Sequence, residues 1–331
     1  MVVIYHAFAM YAGIWAPMEG LQQIPVYMWI CKFAQGFHLE GMTFVAGYVF
    51  AFQCLDLNRR ESFRSFTFKK AKRLFIPSII FGCLYYFLFL FQATNFEIIP
   101  FLIQLLSGVA HMWYLPMLFW CFVVLWIINQ YHFSSKWLLA ILALVSIIPV
   151  PDIPFGLSSV NHFVFYAYLG YWLYDNRDEH SARYCTWRVA TGLWLLFAVL
   201  CTVDIIIFHS SMTLFAEDGS FITKLTIHLL RDVLKLCIAS SGILALYNTV
   251  ELILPRVSEP AKARWQKASD ISFGVYLCHQ FILIGLYRHS SLFELVGSYW
   301  MPWMGLTVAL CGSIVITYWG IKTKVGAFLL K

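Results

Sequence analysis

Long apolar runs follow one another along the whole chain, and this succession limits the fold more than any motif. Of the 331 residues, 61% are hydrophobic and only 12% are charged, against about 25% charged in an ordinary soluble domain. A helix that crosses the hydrocarbon core needs roughly 20 apolar residues. The sequence therefore predicts an all-α, polytopic integral membrane protein with about ten transmembrane helices, forming a single membrane-embedded domain over residues 1–331. The predicted spans are 1–15, 26–53, 74–92, 112–128, 137–150, 161–174, 189–208, 225–250, 271–286 and 303–320.

The positions of Lys and Arg test this threading. Eighteen of the 23 basic residues lie in every second connection, whereas the alternate connections hold two. Because Lys and Arg accumulate in cytoplasmic loops, both termini and the basic loop 54–73 are predicted to be cytoplasmic, and 209–224 to face outward. The basic charges then lie beside anionic lipid, so the pI near 8.8 does not indicate nucleic acid as a partner.

The first predicted span is short for a membrane. Residues 1–15, before Pro17, would make a helix of about 22 Å, against a hydrocarbon core of about 30 Å. Either this helix thins the bilayer locally, or the natural chain begins upstream of Met1. In the second case His6 lies near the middle of the membrane.

Ionisable side chains inside the spans are costly to insert and usually face a cavity or a partner. His6 lies in the first span, His38 and Glu40 in the second, and His279 in the ninth. Four ionisable residues of the eighth span share one helical face, at offsets 0, 3, 4 and 7: His228, Arg231, Asp232 and Lys235. Two other interpretations stay open, since a lone histidine also serves to hydrogen-bond helices together and long basic side chains also reach the outer interface.

Metal chemistry has little support in the sequence. The nine cysteines are scattered and no C-x-x-C or H-E-x-x-H occurs, so we expect no metal site.

Five stretches together resemble the membrane acyltransferase-3 family, which includes enzymes that O-acetylate bacterial surface polysaccharides. They occur in the family's order and span most of the chain: VVIYHAF (2–8), GMTFVAGYVF (41–50), FKKAKRLFIP (68–77), HMWYLPMLF (111–119) and SDISFGVYLCHQ (269–280). Two departures from the family's motifs concern the first and second stretches. Ala46 replaces a serine, and the arginine expected eleven positions before His6 would precede Met1.

The resemblance implies a bacterial inner-membrane O-acetyltransferase with acetyl-CoA as donor. It implies a glycan or a lipid-linked sugar as acceptor. Basic side chains at the end of the cytoplasmic loop 54–73, just before the third span, would bind the CoA phosphates: Lys69, Lys70, Lys72 and Arg73. His6 would be the general base or a transient acyl carrier, oriented by His38 or Glu40. The acceptor would contact Trp113, Tyr114 and His279, and also the charged face of the eighth span.

A transporter or flippase for a polar lipid or glycan is the alternative, because buried charges also line transport pathways. Transfer of label from acetyl-CoA to a glycan distinguishes the two functions. The sequence leaves the acceptor sugar, the acyl group and the oligomeric state open.

Overall fold

The computed structural model describes residues 1–59, 61–92, 96–209, 221–288 and 290–330, and within these ranges the chain is helical and contains no strand. The predicted fold class is confirmed. The helices are α1 (Val2–Ala7), α2 (Pro25–Gln35), α3 (His38–Leu55), α4 (Phe63–Tyr85), α5 (Ile98–Ser107), α6 (Tyr114–Gln130), α7 (Lys136–Ser146), α8 (Val160–Asp175), α9 (Arg177–Tyr184), α10 (Trp187–Asp204), α11 (Phe221–Ile253), α12 (Glu259–Tyr287), α13 (Ser290–Gly320) and α14 (Lys324–Leu330).

Several helices expose an apolar surface that belongs in lipid. On α10, Leu195, Leu196 and Val199 are all exposed, and an apolar face of this size is typical of a membrane contact. Among the described residues, five helical segments are long and apolar enough to cross a membrane: Phe63–Leu90, Ala110–Gln130, Trp187–Ile207, Glu259–Tyr287 and Leu292–Gly320. The total of about ten spans stays a prediction.

The first predicted span is not one continuous helix. Helix α1 ends at Ala7, a 3₁₀ turn follows at Ala9–Ala12, and Gly13 adopts a left-handed conformation with φ 67°. The hydroxyl of Tyr287 donates a hydrogen bond of 2.7 Å to the carbonyl of Ala7, a group that a continuing helix would use for its own ladder. The prediction of a helix over 1–15 is therefore wrong, because a tertiary contact stabilises an early end.

The predicted basic loop is also largely helical. Helix α4 begins at Phe63, and the Ser62 hydroxyl caps it by accepting from the backbone N–H of Ser65 at 3.4 Å. Such a cap satisfies one of the free N–H groups in the first turn. The four basic residues from Lys69 to Arg73 therefore lie on a helix and not in a loop, which corrects the predicted boundary at residue 73.

Smaller differences from the predicted spans occur elsewhere. The second span is two helices, α2 and α3, and three short helices, α5, α9 and α14, lie outside the predicted spans. Residues 210–220, which form most of the predicted outward loop 209–224, lie outside the described residues.

The contacts divide the chain into two compact units. Unit 1 consists of Met1–His38 and Val257–Lys331, and unit 2 of Leu39–Arg256. The prediction of a single membrane-embedded domain stays a prediction. In unit 1 the core joins α1 and the following turn to α2, α12 and α13, with Phe8, Met10, Leu283 and Met301 almost fully buried.

In unit 2, α3 and α8 cross at two glycines. A Cβ on Gly47 would lie 1.9 Å from the carbonyl oxygen of Ala167, and a Cβ on Gly170 would lie 2.1 Å from that of Phe44. Small residues allow membrane helices to approach at backbone distance. The two backbones are therefore in direct contact here.

Candidate functional site

Three histidines predicted as site residues meet in unit 1. The ring centroids of His6 and His279 are 5.2 Å apart, and the indole of Trp15 stacks on His6 at 5.4 Å. The ring of Tyr5 contacts His6 at 4.8 Å and stacks on His38 at 4.5 Å. We call His6, His38 and His279, with Tyr5 and Trp15, the histidine cluster.

Backbone carbonyls determine the tautomer of two members of this cluster. The Nδ1 atom of His279 lies 2.7 Å from the carbonyl oxygen of Tyr276, and Nδ1 of His38 lies 3.1 Å from that of Gln35. A carbonyl oxygen only accepts, so each Nδ1 carries the hydrogen. In the neutral ring, Nε2 then holds the lone pair that can accept a proton.

Burial separates the three histidines. His279 is 0% exposed and His38 is 7% exposed, whereas His6 is only partly buried. The short helix that carries His6 is held on both sides, because the Cys31 thiol donates to the carbonyl of Tyr5 at 3.4 Å and Tyr287 donates to that of Ala7. His6 is thus the least buried histidine of the cluster, although its Nδ1 atom is buried, and the helix that carries it is held in place.

Glu40 lies in unit 2 and has a partner that the sequence did not reveal. Its Oε1 atom is 3.4 Å from Nε2 of His162, and its Oε2 atom is buried and accepts no hydrogen bond from any residue described. His162 is the second residue of the predicted span 161–174. A histidine inside a predicted span was the sequence signal that could have identified His162.

A second site in unit 2 is a groove of about 640 Å³, within the range of small-molecule sites. Four basic side chains and one carboxylate line it, together with His132 and uncharged residues. We call it the basic groove, and its lining is Val49, Phe50, Gln53, Cys54, Arg59, Glu61, Phe66, Lys69, Lys70, Arg73, Trp126, Asn129, Gln130 and His132.

The predicted phosphate ligands divide between the groove and the surface. Lys69, Lys70 and Arg73 line the groove, whereas Lys72 is exposed outside its lining. Lys69 forms an ion pair with Glu61 at 2.8 Å, and the ammonium of Lys70 lies 3.7 Å from the ring centroid of Phe122, which is a cation–π contact.

The groove also contains residues that the sequence did not single out. Arg59 adds a guanidinium, and Trp126 adds an aromatic ring whose N–H donates to the carbonyl of Glu61 at 3.2 Å. The excess of basic side chains fits an anion, and planar guanidinium groups suit phosphate. Arg59 lies in the connection before α4, and its basic character was the signal that could have identified it.

The residues predicted to meet the acceptor lie in different places. The hydroxyl of Tyr114 is 3.1 Å from Oγ1 of Thr43, and this tyrosine is 2% exposed, so it is a packing residue within unit 2. Trp113 lines a separate cavity of about 450 Å³. The charged face of the eighth span lies on α11, with His228 and Lys235 exposed and Arg231 and Asp232 partly buried. Lys235 pairs with Asp232 at 3.4 Å.

The chain matches one protein family over nearly its whole length. The model of the acyltransferase-3 family, described as an acyltransferase domain, matches residues 1–322. No curated protein and no solved structure shows a significant match to the chain.

Proposed function

Because the chain belongs to the acyltransferase-3 family, we propose that it is an inner-membrane O-acyltransferase that uses acyl-CoA as its donor. The group transferred is an acetyl or a similar short acyl group. The acceptor is a hydroxyl of a cell-surface polysaccharide or of a lipid-linked sugar.

The histidine cluster carries this proposal. His6 is partly exposed, and its ring centroid lies 5.2 Å from that of the buried His279. Transfer of an acyl group from a thioester to a hydroxyl needs a group that takes a proton near neutral pH, and histidine is suited to this role.

In the proposed step, His6 acts as a general base and then as a general acid. The imidazole of His6 takes the proton of the acceptor hydroxyl while the hydroxyl oxygen forms a bond to the thioester carbonyl carbon. The carbon–sulfur bond then breaks, and the imidazolium returns the proton to the departing sulfur. The products are an ester and the free thiol, and His6 regains its neutral form.

The basic groove supports acyl-CoA as the donor. CoA carries phosphates, and Arg59, Lys70 and Arg73 provide cationic groups that can bind them. Lys69 can contribute only if it leaves its ion pair with Glu61. Histidine cluster and groove belong to different compact units, so the proposal assigns a separate task to each.

A transfer assay tests the proposed function. The purified full chain in lipid nanodiscs is incubated with acetyl-CoA labelled in the acetyl group and with a panel of neutral, amino and acidic oligosaccharides. We expect label to appear in at least one oligosaccharide. If no oligosaccharide is labelled, while vesicles that contain the protein move an oligosaccharide across their membrane, the protein is a transporter and the proposal is wrong.

A further inference from the structure

A second cavity in unit 2 lies where two connections meet. It has a volume of about 450 Å³, and we call it the Trp113 pocket. One wall comes from the end of α5 and the turn after it, and the other from residues 152–159. Its lining is Ile103, Ser107, Gly108, Trp113, Asp152, Ile153, Pro154, Gly156, Ser158 and Ser159. The predicted threading puts both connections outside the cytoplasm.

Hydrogen bonds hold the two walls together. The backbone N–H of Phe155 donates to the hydroxyl of Ser107 at 2.9 Å, and the indole N–H of Trp120 donates to the carbonyl of Phe155 at 3.0 Å. These contacts connect the 152–159 segment to α5 and to α6. The walls of the pocket are therefore joined by hydrogen bonds of the chain itself.

Strained backbone is concentrated in the same two segments. Gly108 and Gly156 have φ of 92° and 75°, and a Cβ on either would come within 2.6 Å of backbone atoms of α6 or of the turn before it. Ala110 and Phe155 also have positive φ, at 51° and 65°. Non-glycine residues rarely adopt this conformation, and such strain clusters at binding sites.

Several polar groups of the pocket make no hydrogen bond within the described part of the chain. They are the carboxylate of Asp152, the hydroxyls of Ser158 and Ser159, and the indole N–H of Trp113. They comprise both donors and acceptors, and they lie beside an aromatic ring. A sugar ring presents the matching chemistry, because it has hydroxyl groups at its edge and C–H groups on its face.

The charge of the pocket narrows the class of sugar. Asp152 is the one charged side chain in the lining of this pocket, so a carboxylate or phosphate on the ligand would meet a like charge. We propose that the Trp113 pocket binds a neutral or amino pyranose ring of the acceptor glycan. The identity of this glycan as the acceptor rests on the proposed function, whereas the chemistry of the pocket does not.

Direct binding tests this assignment without relying on catalysis. The full chain in nanodiscs is titrated with maltotriose, chitosan trimer and trigalacturonate, and binding is followed by saturation-transfer NMR. We expect binding of at least one of the first two and weaker binding of trigalacturonate. Trp113→Ala should weaken binding about tenfold or more, whereas Trp137→Ala, which removes an indole that is 72% exposed on α7, should leave it unchanged.

A charge-reversal variant distinguishes loss of the binding site from loss of folding. Asp152→Lys should increase the affinity for trigalacturonate, a gain that a misfolded protein cannot produce. In the transfer assay, Trp113→Ala should raise KM for the acceptor and leave KM for acetyl-CoA unchanged. The assignment is overturned if no neutral or amino probe binds, or if Trp113→Ala binds like the wild type. Sugar binding without any acyl transfer would instead leave the pocket assigned and refute the proposed function.

Discussion

At the scale of single residues, the three histidines of the histidine cluster differ in their exposure. His279 and His38 are buried and each donates a hydrogen bond from Nδ1 to a backbone carbonyl, whereas His6 is partly accessible. A general base must reach its substrate, and a buried ring of fixed tautomer is better suited to positioning. The geometry therefore favours His6 over its neighbours as the base.

Replacing His6 by Gln should reduce the transfer rate by roughly 10²–10⁴-fold, the contribution typical of a general base. Glutamine keeps hydrogen-bonding capacity and approximate size but cannot take the proton. The measurement is single-turnover transfer from labelled acetyl-CoA, with donor affinity and yield of folded protein determined in parallel and expected to stay near those of the wild type.

The matched control is His180→Gln, because His180 contacts Asn248 at 3.0 Å and takes no part in the histidine cluster. It should transfer at the wild-type rate. Label that is found on the wild-type protein itself and is absent from His6→Gln would assign His6 as an acyl carrier. Full activity in His6→Gln would move the catalytic role to His38 or His279.

At the scale of helices, the charges of the basic groove depend on α4 being helical from Phe63. Residues four positions apart on a helix lie on the same face, so Lys69 and Arg73 both line the groove while the intervening Lys72 lies outside its lining. A flexible loop would not separate these residues in this way.

Arg73→Ala should weaken acetyl-CoA binding by about 10- to 100-fold, as expected for the loss of a charge-assisted hydrogen bond. Arg73→Lys keeps the charge but loses the planar fork, so its effect should be intermediate. Calorimetric titration of acetyl-CoA measures both. Arg64→Ala removes the same charge from an exposed position on α4 outside the groove lining and should bind the donor normally. If Arg73→Ala and Arg64→Ala bind acetyl-CoA equally well, Arg73 does not bind the donor, and the basic stretch serves only to orient the protein in the membrane.

The crossing of α3 and α8 makes a second prediction about helices. Gly170→Ala places a Cβ 2.1 Å from the carbonyl oxygen of Phe44, so the helices must separate. Overpacking of this kind costs about 1–3 kcal/mol. We expect a lower melting temperature in detergent, measured by thermal unfolding.

Gly192→Ala is the matched control, because a Cβ on this α10 glycine meets no atom within 4 Å. It should melt at or slightly above the wild-type temperature, since alanine favours a helix more than glycine does. If Gly170→Ala is as stable as Gly192→Ala, α3 and α8 can accommodate the added methyl group without loss of stability, and the prediction is wrong.

At the scale of the whole molecule, the alternation of basic and non-basic connections predicts how the chain is threaded through the membrane. Single cysteines in a background without the nine native ones test it with a membrane-impermeant thiol reagent in intact cells. A cysteine at Ser158 should be labelled from outside, and one at Ser62 only after the membrane is opened. Labelling of the Ser62 site in intact cells would contradict the predicted orientation.

Local features of the sequence were enough to predict the class of the protein. Hydrophobicity and the position of charge are properties of short segments, so the all-α membrane fold, the location of most long helices and the basic character of 69–73 could be predicted. The motif order indicated the family that the match over residues 1–322 shows. An ionisable side chain in an apolar run is costly unless it has a partner or a function, and this property identifies His6 and His279 as candidates from the sequence.

Which of these side chains meet depends on long-range contacts in the folded chain. His6 and His279 are 273 positions apart and Glu40 and His162 are 122 apart, and no local pattern encodes such pairings. The early end of α1 depends on the hydroxyl of Tyr287, a contact made across 280 positions. The Trp113 pocket likewise arises where two segments about 45 residues apart are joined by hydrogen bonds to Ser107 and Trp120. Side chains are recruited to a site by the path of the backbone, which the periodicity of a single helix does not contain.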